Sequence, residues 1–68
     1  MNTFAKILRE LRDEKGLTQV QLAKELKFGT YTVITNWESG KRMPDIENLK
    51  MLADYFKVSI DYLVGREQ

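Results

Sequence analysis

Short amphipathic stretches, separated by four glycines and a single proline, make up the whole chain. The first stretch places its apolar residues at the i, i+3, i+4 and i+7 positions of one helix face, namely Phe4, Ile7, Leu8 and Leu11. Charged residues fill the positions between them, as on the solvent side of an amphipathic helix. This pattern predicts a helix that begins near Asn2 or Thr3 and ends before Gly16, a residue suited to the left-handed position after a last turn.

The segment after Gly16 has the signature of a helix start. Thr18 and Gln21 stand three residues apart, as in a capping box, where each side chain accepts a hydrogen bond from the other residue's backbone N–H. Apolar residues follow at the spacing of an inner helix face, namely Leu22, Ala23 and Leu26. We therefore predict a short second helix that begins at Thr18.

The third stretch, residues 30–35, is rich in β-branched and aromatic residues and favours a strand by propensity alone. Two observations oppose a strand. Val33 and Ile34 are adjacent apolar residues, which breaks strict alternation, and Ile34 and Trp37 stand at a helical i, i+3 spacing. A lone strand among helices would also lack a partner. We predict a helix from about Thr30 to Glu38, with Trp37 in the core rather than stacked on a single-stranded nucleic acid.

The last third of the chain predicts two more helices. Asp45 is a good N-cap for a fourth helix, whose apolar face consists of Ile46, Leu49, Leu52, Ala53 and Phe56. Ser59 caps a final short turn, which ends at Gly65 and contains Ile60, Leu63 and Val64. The predicted fold class is all-α, a compact five-helix bundle in which residues 1–65 form one domain and residues 66–68 a tail.

The composition excludes most enzyme classes. A chain of 68 residues is too short to enclose a deep cofactor pocket. Without cysteine or histidine there is no thiol nucleophile, no Ser–His–Asp relay and no zinc site of the usual ligands. Paired carboxylates such as Asp13 and Glu14, or Asp54 and Asp61, fit a solvated helix surface better than an acid–base pair. We predict no enzymatic activity, no metal and no cofactor.

The hydropathy of the chain predicts no contact with a membrane. No apolar run approaches the roughly 20 residues that cross a bilayer, and no signal-peptide core follows Met1. A cytoplasmic location follows as the default expectation.

Three ordered motifs extend over nearly the whole chain. They are Gly-Leu-Thr-Gln-x-x-Leu-Ala-x-x-Leu at 16–26, Asn-Trp-Glu-Ser-Gly-Lys-Arg-x-Pro at 36–44 and Val-Ser-x-Asp-Tyr-Leu-x-Gly at 58–65. With them the chain resembles the helix-turn-helix repressors of the phage C1/Cro and Xre type. The resemblance implies a lambda-repressor-like DNA-binding domain whose third helix enters the major groove of a double-stranded operator. It also implies a homodimer on a two-fold operator, with half-sites about 34–36 Å apart.

The same resemblance assigns the DNA contacts, residue by residue, to Gln19, Thr30, Tyr31, Thr32, Thr35, Asn36, Ser39, Lys41 and Arg42. Asn36 would pair with adenine, and the threonines offer a hydroxyl and a methyl group to base edges. Gln19 would approach a phosphate or a base edge, while Ser39 and the two cations would bind phosphates. Tyr31 is either a groove contact or a surface aromatic residue packed over Phe28.

Other positions that match the family have structural roles. Arg12 and Glu38 would form an ion pair between helices one and three, because pairing is how a charge survives burial. The dimer surface would be the edge formed by Met43-Pro44, Val58 and helix five, where surplus apolar residues include Ile60, Tyr62 and Val64. Many relatives carry a further domain after a glycine like Gly65, so either a whole Cro-like protein or the DNA-binding half of a longer repressor is possible.

The chain departs from the family pattern between Leu26 and Trp37, where the stretch containing Lys27-Phe28-Gly29 is one residue longer than usual. If the extra residue lies in the turn, Thr30 is the N-cap of helix three. If it lies in the helix start, Gly29 is the N-cap and the contacting face rotates by roughly 100°. The longer turn is favoured, because it keeps Ile34 in a buried position.

The charge of the chain is segregated. The formal net charge is only +1, which by itself argues against a nucleic-acid partner. Residues 1–44, however, carry eight Lys and Arg against five Asp and Glu, whereas residues 45–68 carry three against five. The helix-turn-helix half is thus positive, which predicts modest non-specific DNA binding with specificity from groove contacts and dimer geometry. The alternative function is a protein-interaction or antitoxin-like module on the same scaffold.

Overall fold

The computed structural model describes residues 3–66, which form five helices and no strand. The helices are α1 (Thr3–Glu14), α2 (Gln19–Glu25), α3 (Thr32–Ser39), α4 (Ile46–Phe56) and α5 (Ile60–Leu63). The predicted five-helix all-α fold is therefore confirmed. A helix start at Asn2 lies outside the described residues, and so do residues 67 and 68 of the predicted tail.

The predicted capping signals are present at three helix starts. Thr18 Oγ1 accepts from Gln21 N at 3.0 Å, and Gln21 Oε1 accepts from Thr18 N at 2.8 Å, which completes the capping box of α2. Asp45 Oδ1 accepts from Asn48 N at 2.9 Å at the start of α4. Ser59 Oγ does the same for Tyr62 N at 2.9 Å at the start of α5. These local bonds set where α2, α4 and α5 begin.

The third helix begins later than predicted. Its N-cap is Tyr31, whose side chain makes no capping bond, and the helix proper starts at Thr32 rather than Thr30. Thr30 still contributes from outside the helix, since its Oγ1 accepts from Thr32 N at 3.2 Å. Residues 26–31 are non-helical, so the extra residue lies in the turn, but the N-cap is neither Thr30 nor Gly29. Lys27, in the left-handed conformation with φ 63°, helps to reverse the chain there.

The core receives one fully buried large side chain from each helix: Leu8, Leu22, Ile34, Leu52 and Leu63. Trp37 is also in the core at 4% exposure, as predicted, and Phe28 packs edge-on against it with ring centroids 5.7 Å apart. The stretch forms a helix rather than a strand because the helical spacing of Ile34 and Trp37 places both side chains on one face, where they enter the core.

Two apolar positions differ from the prediction. The sequence pattern predicts Ile46 on the apolar face of α4, but Ile46 is 55% exposed, because the core covers that helix only from Leu49 onward. The predicted exposed edge includes Pro44, but Pro44 is buried, whereas its neighbour Met43 is 53% exposed. Within residues 3–66, no helix has the length and apolar character needed to cross a bilayer.

Candidate nucleic-acid interface

A partly buried ion pair joins α3 to α1. Arg12 Nε donates to Glu38 Oε2 at 2.6 Å and Arg12 Nη2 donates to Glu38 Oε1 at 3.0 Å, so the predicted pair exists and is bidentate. The two side chains are only 12% and 6% exposed. Hydrogen bonding to Glu38 raises the pKa of the Arg12 guanidinium. A third bond, from Arg12 Nη1 to Leu17 O at 2.7 Å, ties the pair to the turn before α2.

The same network holds two of the predicted DNA contacts. Gln19 Nε2 donates to Glu38 Oε1 at 3.2 Å, and Thr35 Oγ1 donates to Gln19 Oε1 at 2.7 Å. Gln19 and Thr35 are both partly buried. The amide of Gln19 is thus oriented with its oxygen towards Thr35 and its nitrogen towards Glu38. One of its two Nε2 hydrogens is left for an acceptor outside the protein.

The start of α3 presents an exposed polar surface. Thr30, Tyr31 and Thr32 are exposed, and Asn36 is partly buried one turn further along. Tyr31 is 51% exposed, and among residues 3–66 its ring has no stacking partner. Within residues 3–66 the Phe28 ring pairs edge-on with Trp37 and not with Tyr31. Both roles for Tyr31, a groove contact or a surface residue packed over Phe28, stay predictions, since Phe28 and Tyr31 line one groove.

The end of α3 and the loop after it carry the predicted phosphate contacts: Ser39 is the last residue of α3, Lys41 and Arg42 lie in the loop, and all three are exposed. This loop is anchored on the carbonyl oxygen of Asn36, which accepts from Lys41 N at 3.0 Å and Arg42 N at 3.2 Å. Ser39 Oγ also donates to that oxygen, at 3.1 Å. Neither cation has a carboxylate within ion-pairing distance in the described part of the chain. Their charge is available to an external anion.

Two open grooves flank α3. The larger, with a volume of about 300 Å³, lies at the junction of α1, α2 and α3 and is lined by Arg9, Arg12, Gln19, Thr35, Glu38 and Ser39. The smaller, about 220 Å³, lies between α2 and the turn and is lined by Val20, Ala23, Lys24, Phe28, Gly29, Thr30 and Tyr31. Sequence reasoning missed Arg9 and Val20. For Arg9 a signal existed: it precedes Arg12 by three residues and so lies near it on the same side of α1.

Comparisons with known proteins agree with this architecture. A family model described as helix-turn-helix matches residues 8–63. The chain is 45% identical over 65 residues to the HTH-type transcriptional activator BcrR of Enterococcus faecalis, an overlap of 96% of this chain and 31% of that protein. It is 43% identical over 49 residues to the cryptic phage CTXphi transcriptional repressor RstR of Vibrio cholerae, covering 72% of this chain and 43% of that protein.

A solved structure is similar over the same extent. The crystal structure of a transcriptional regulator from Listeria innocua superposes with a TM-score of 0.84 at 43% identity, covering 96% of this chain and 60% of that chain. The chain therefore spans between 31% and 60% of the length of these three relatives. All of them are transcriptional regulators, which are not enzymes, in agreement with the prediction. By sequence and by fold, the chain belongs to the Cro/C1-type helix-turn-helix family of transcriptional regulators.

Proposed function

We propose that this domain binds double-stranded DNA sequence-specifically, with α3 in the major groove. The observation that carries the proposal is the exposed polar start of α3 beside two cations, Lys41 and Arg42, that form no ion pair within residues 3–66. A helix with exposed hydroxyl and amide side chains suits base edges, and adjacent cations suit phosphates. The Arg12–Glu38 pair supports the proposal, because its two hydrogen bonds connect α3 directly to α1.

The proposed roles differ along the surface. Thr30, Tyr31, Thr32 and Asn36 would face base edges, while Ser39, Lys41 and Arg42 would bind the phosphates that flank them. Gln19 would give its remaining Nε2 hydrogen to a phosphate or base oxygen. Thr35, whose hydroxyl proton is used within the protein, would act on DNA by orienting the Gln19 amide.

We propose further that the domain acts as a homodimer on a two-fold operator, since one small module buries little DNA surface and paired half-sites multiply specificity. The fold changes which residues of the predicted dimer edge are accessible. Pro44 is buried, whereas the apolar side chains of Met43 and Ile46 beside it are exposed. In helix five and before it, Val58, Ile60, Tyr62 and Val64 are each partly exposed. The predicted cytoplasmic repressor role remains part of the proposal. A reporter gene behind the selected site, activated rather than silenced by the protein, would contradict the repressor role.

The test of DNA binding is selection of a site from random double-stranded DNA, followed by sedimentation of the complex. We expect a two-fold symmetric sequence bound by two protomers. Affinity should fall steeply with salt, with a slope of log K against log[salt] of about −0.9 for each phosphate contact. Enrichment of no sequence, with affinity insensitive to salt, would instead favour the protein-interaction alternative. The half-exposed Val20 and Tyr31 beside the smaller groove would suit such a partner.

Two substitutions separate base reading from phosphate binding. Asn36→Ala should cost about 1–3 kcal/mol at one base position and relax the preference there. Lys41→Ala should weaken binding to all sequences alike. It should also make the slope of log K against log[salt] less negative by about 1. Lys50→Ala is the matched control: Lys50 is an exposed cation on α4, so its loss should leave both measurements unchanged. A uniform loss for Asn36→Ala would show that this residue does not read a base.

A further inference from the structure

The larger groove contains a cation, Arg9, that is not among the DNA contacts implied by the family resemblance. Arg9 is exposed on α1 and lines this groove together with Gln19, Thr35 and Ser39, which belong to or adjoin the helix-turn-helix. Among residues 3–66, Arg9 has no carboxylate within ion-pairing distance. The charge of Arg9 is therefore free to act on a molecule outside the protein.

The electrostatics of the groove favour an anion. Its lining includes one carboxylate, Glu38, which is neutralised by the bidentate contact with Arg12. The charge of Arg9 is therefore the net charge of the lining. A second donor is present, because Gln19 keeps one Nε2 hydrogen after its bond to Glu38. A positive groove with free N–H donors and no unpaired carboxylate fits an anionic oxygen.

The position of Arg9 relative to α3 is set by the ion pair. Arg9 and Arg12 lie three residues apart, and so stand one above the other on α1. Since Arg12 is bound to Glu38 near the end of α3, Arg9 is held beside Ser39 and the loop that carries Lys41 and Arg42. The positive charge of Arg9 on α1 thus lies next to the loop that is proposed to bind phosphates.

We propose that Arg9 binds a phosphate of the DNA backbone, so that α1 contributes to the interface together with the helix-turn-helix. The proposal rests on the proposed DNA-binding function and adds a contact to it. A backbone phosphate is the fitting ligand because the groove is open and shares Gln19, Thr35 and Ser39 with the proposed DNA surface. A phosphate contact carries no base information, so Arg9 should add affinity and salt dependence without altering sequence preference.

The first test compares salt slopes on the selected operator. Arg9→Gln should make the slope of log K against log[salt] less negative by about 0.9 per protomer. It should leave the base preference and the Tm unchanged. Arg9→Lys should keep the wild-type slope, since a phosphate contact requires mainly the charge. Lys6→Gln is the control, because Lys6 is an exposed cation on the same helix that does not line the groove. Its slope should equal that of the wild type.

The second test locates the phosphate. A set of operator duplexes, each with one phosphate replaced by an uncharged methylphosphonate, is measured with the wild type and with Arg9→Gln. We expect one position per half-site at which neutralisation weakens the wild type and leaves Arg9→Gln unaffected.

The outcomes that overturn the proposal are distinct from failure of DNA binding itself. A wild-type slope for Arg9→Gln, an equal loss for Lys6→Gln, or no phosphate to which only the wild type is sensitive would each overturn the role of Arg9. In those cases a steep salt dependence of the wild type would leave the proposed function standing. If the wild type selects no DNA site at all, both proposals are overturned together.

Discussion

The hydrogen bond between Thr35 and Gln19 changes what each side chain can offer to DNA. Thr35 has one hydroxyl proton, and the 2.7 Å bond to Gln19 Oε1 is much shorter than the 3.4 Å approach to Tyr31 O. The proton therefore goes to Gln19. With its oxygen occupied, the Gln19 amide can only donate outwards, which suits a phosphate or a base acceptor. Thr35 acts on DNA mainly by positioning Gln19.

Replacing Thr35 by valine tests this positioning role. Thr35→Val keeps the shape and removes the donor, so Gln19 loses the bond that orients its amide. We expect operator affinity to fall about fivefold, the equivalent of about 1 kcal/mol for one hydrogen bond. Fluorescence anisotropy on the selected operator measures the change, and Thr35→Ser should restore most of the affinity.

A double-mutant cycle distinguishes positioning from a direct contact. If Thr35 acts through Gln19, Thr35→Val should have almost no further effect in a Gln19→Ala background. Fully additive losses would mean that Thr35 contacts DNA by itself.

Two helices are followed by a lysine in the left-handed backbone conformation, which favours glycine. Lys27 follows α2 with φ 63°, and Lys57 is the C-cap of α4 with φ 59°. A left-handed conformation costs a residue with a Cβ about 1–2 kcal/mol. Both turns are held by main-chain bonds, such as that from Val58 N to Ala53 O at 3.0 Å, which require the reversed backbone whatever the side chain.

Lys57→Gly should therefore stabilise the protein. Relief of the left-handed strain should raise the free energy of unfolding by about 1 kcal/mol, which corresponds to a rise in Tm of about 4–8 °C in a domain of this size. The matched control is Lys50→Gly, which removes the same side chain from the interior of α4 and should cost about 1 kcal/mol. Thermal unfolding followed by circular dichroism measures both. A fall in Tm for both variants would show that the Lys57 side chain contributes more than its strain costs.

Taken as a whole, the bundle is closed where α5 returns to the start of α1. Gly65 follows α5 with φ 81°, and a Cβ built there would overlap the Thr3 methyl group and lie 3.0 Å from Thr3 Cβ. Gly16, with φ 70°, has the same backbone conformation, but within residues 3–66 no atom outside its two chain neighbours lies within 4 Å of such a Cβ. The two glycines are therefore required for different reasons: local backbone strain at both, and close packing of the two ends of the domain only at Gly65.

This difference predicts unequal costs for the same substitution. Gly16→Ala should cost about 1–2 kcal/mol for backbone strain alone. Gly65→Ala should lower the free energy of unfolding by about 1–3 kcal/mol more than Gly16→Ala, because the added Cβ forces Thr3 and α1 to shift. Urea unfolding gives both values. In a Thr3→Ser background the additional cost at Gly65 should largely disappear, since the overlapping methyl group is gone. Equal costs at both glycines would contradict the proposed close packing.

Most of the fold could be predicted because its signals are local. The capping box at Thr18, the cap at Asp45 and the apolar spacing around Leu8 and Leu52 all involve residues within one or two turns of each other. Periodicity also placed Trp37 correctly in the core, against the strand propensity of its neighbours. The family resemblance predicted the pairing of Arg12 with Glu38, although 26 residues separate them.

Only the tertiary structure decided where the side chains of the proposed site stand. The sequence alone determined that α3 exists and which side of it is buried, since burial follows the helical period. It could not show that Thr35 is bonded to Gln19 from 16 residues away, or that Arg9 shares a groove with Ser39. Such contacts depend on how α1, α2 and α3 pack against each other. The segregation of positive charge into residues 1–44 follows from the sequence, but only the packing of α1 against α3 shows that Arg12 is paired with Glu38 while Arg9 is not, within the described residues.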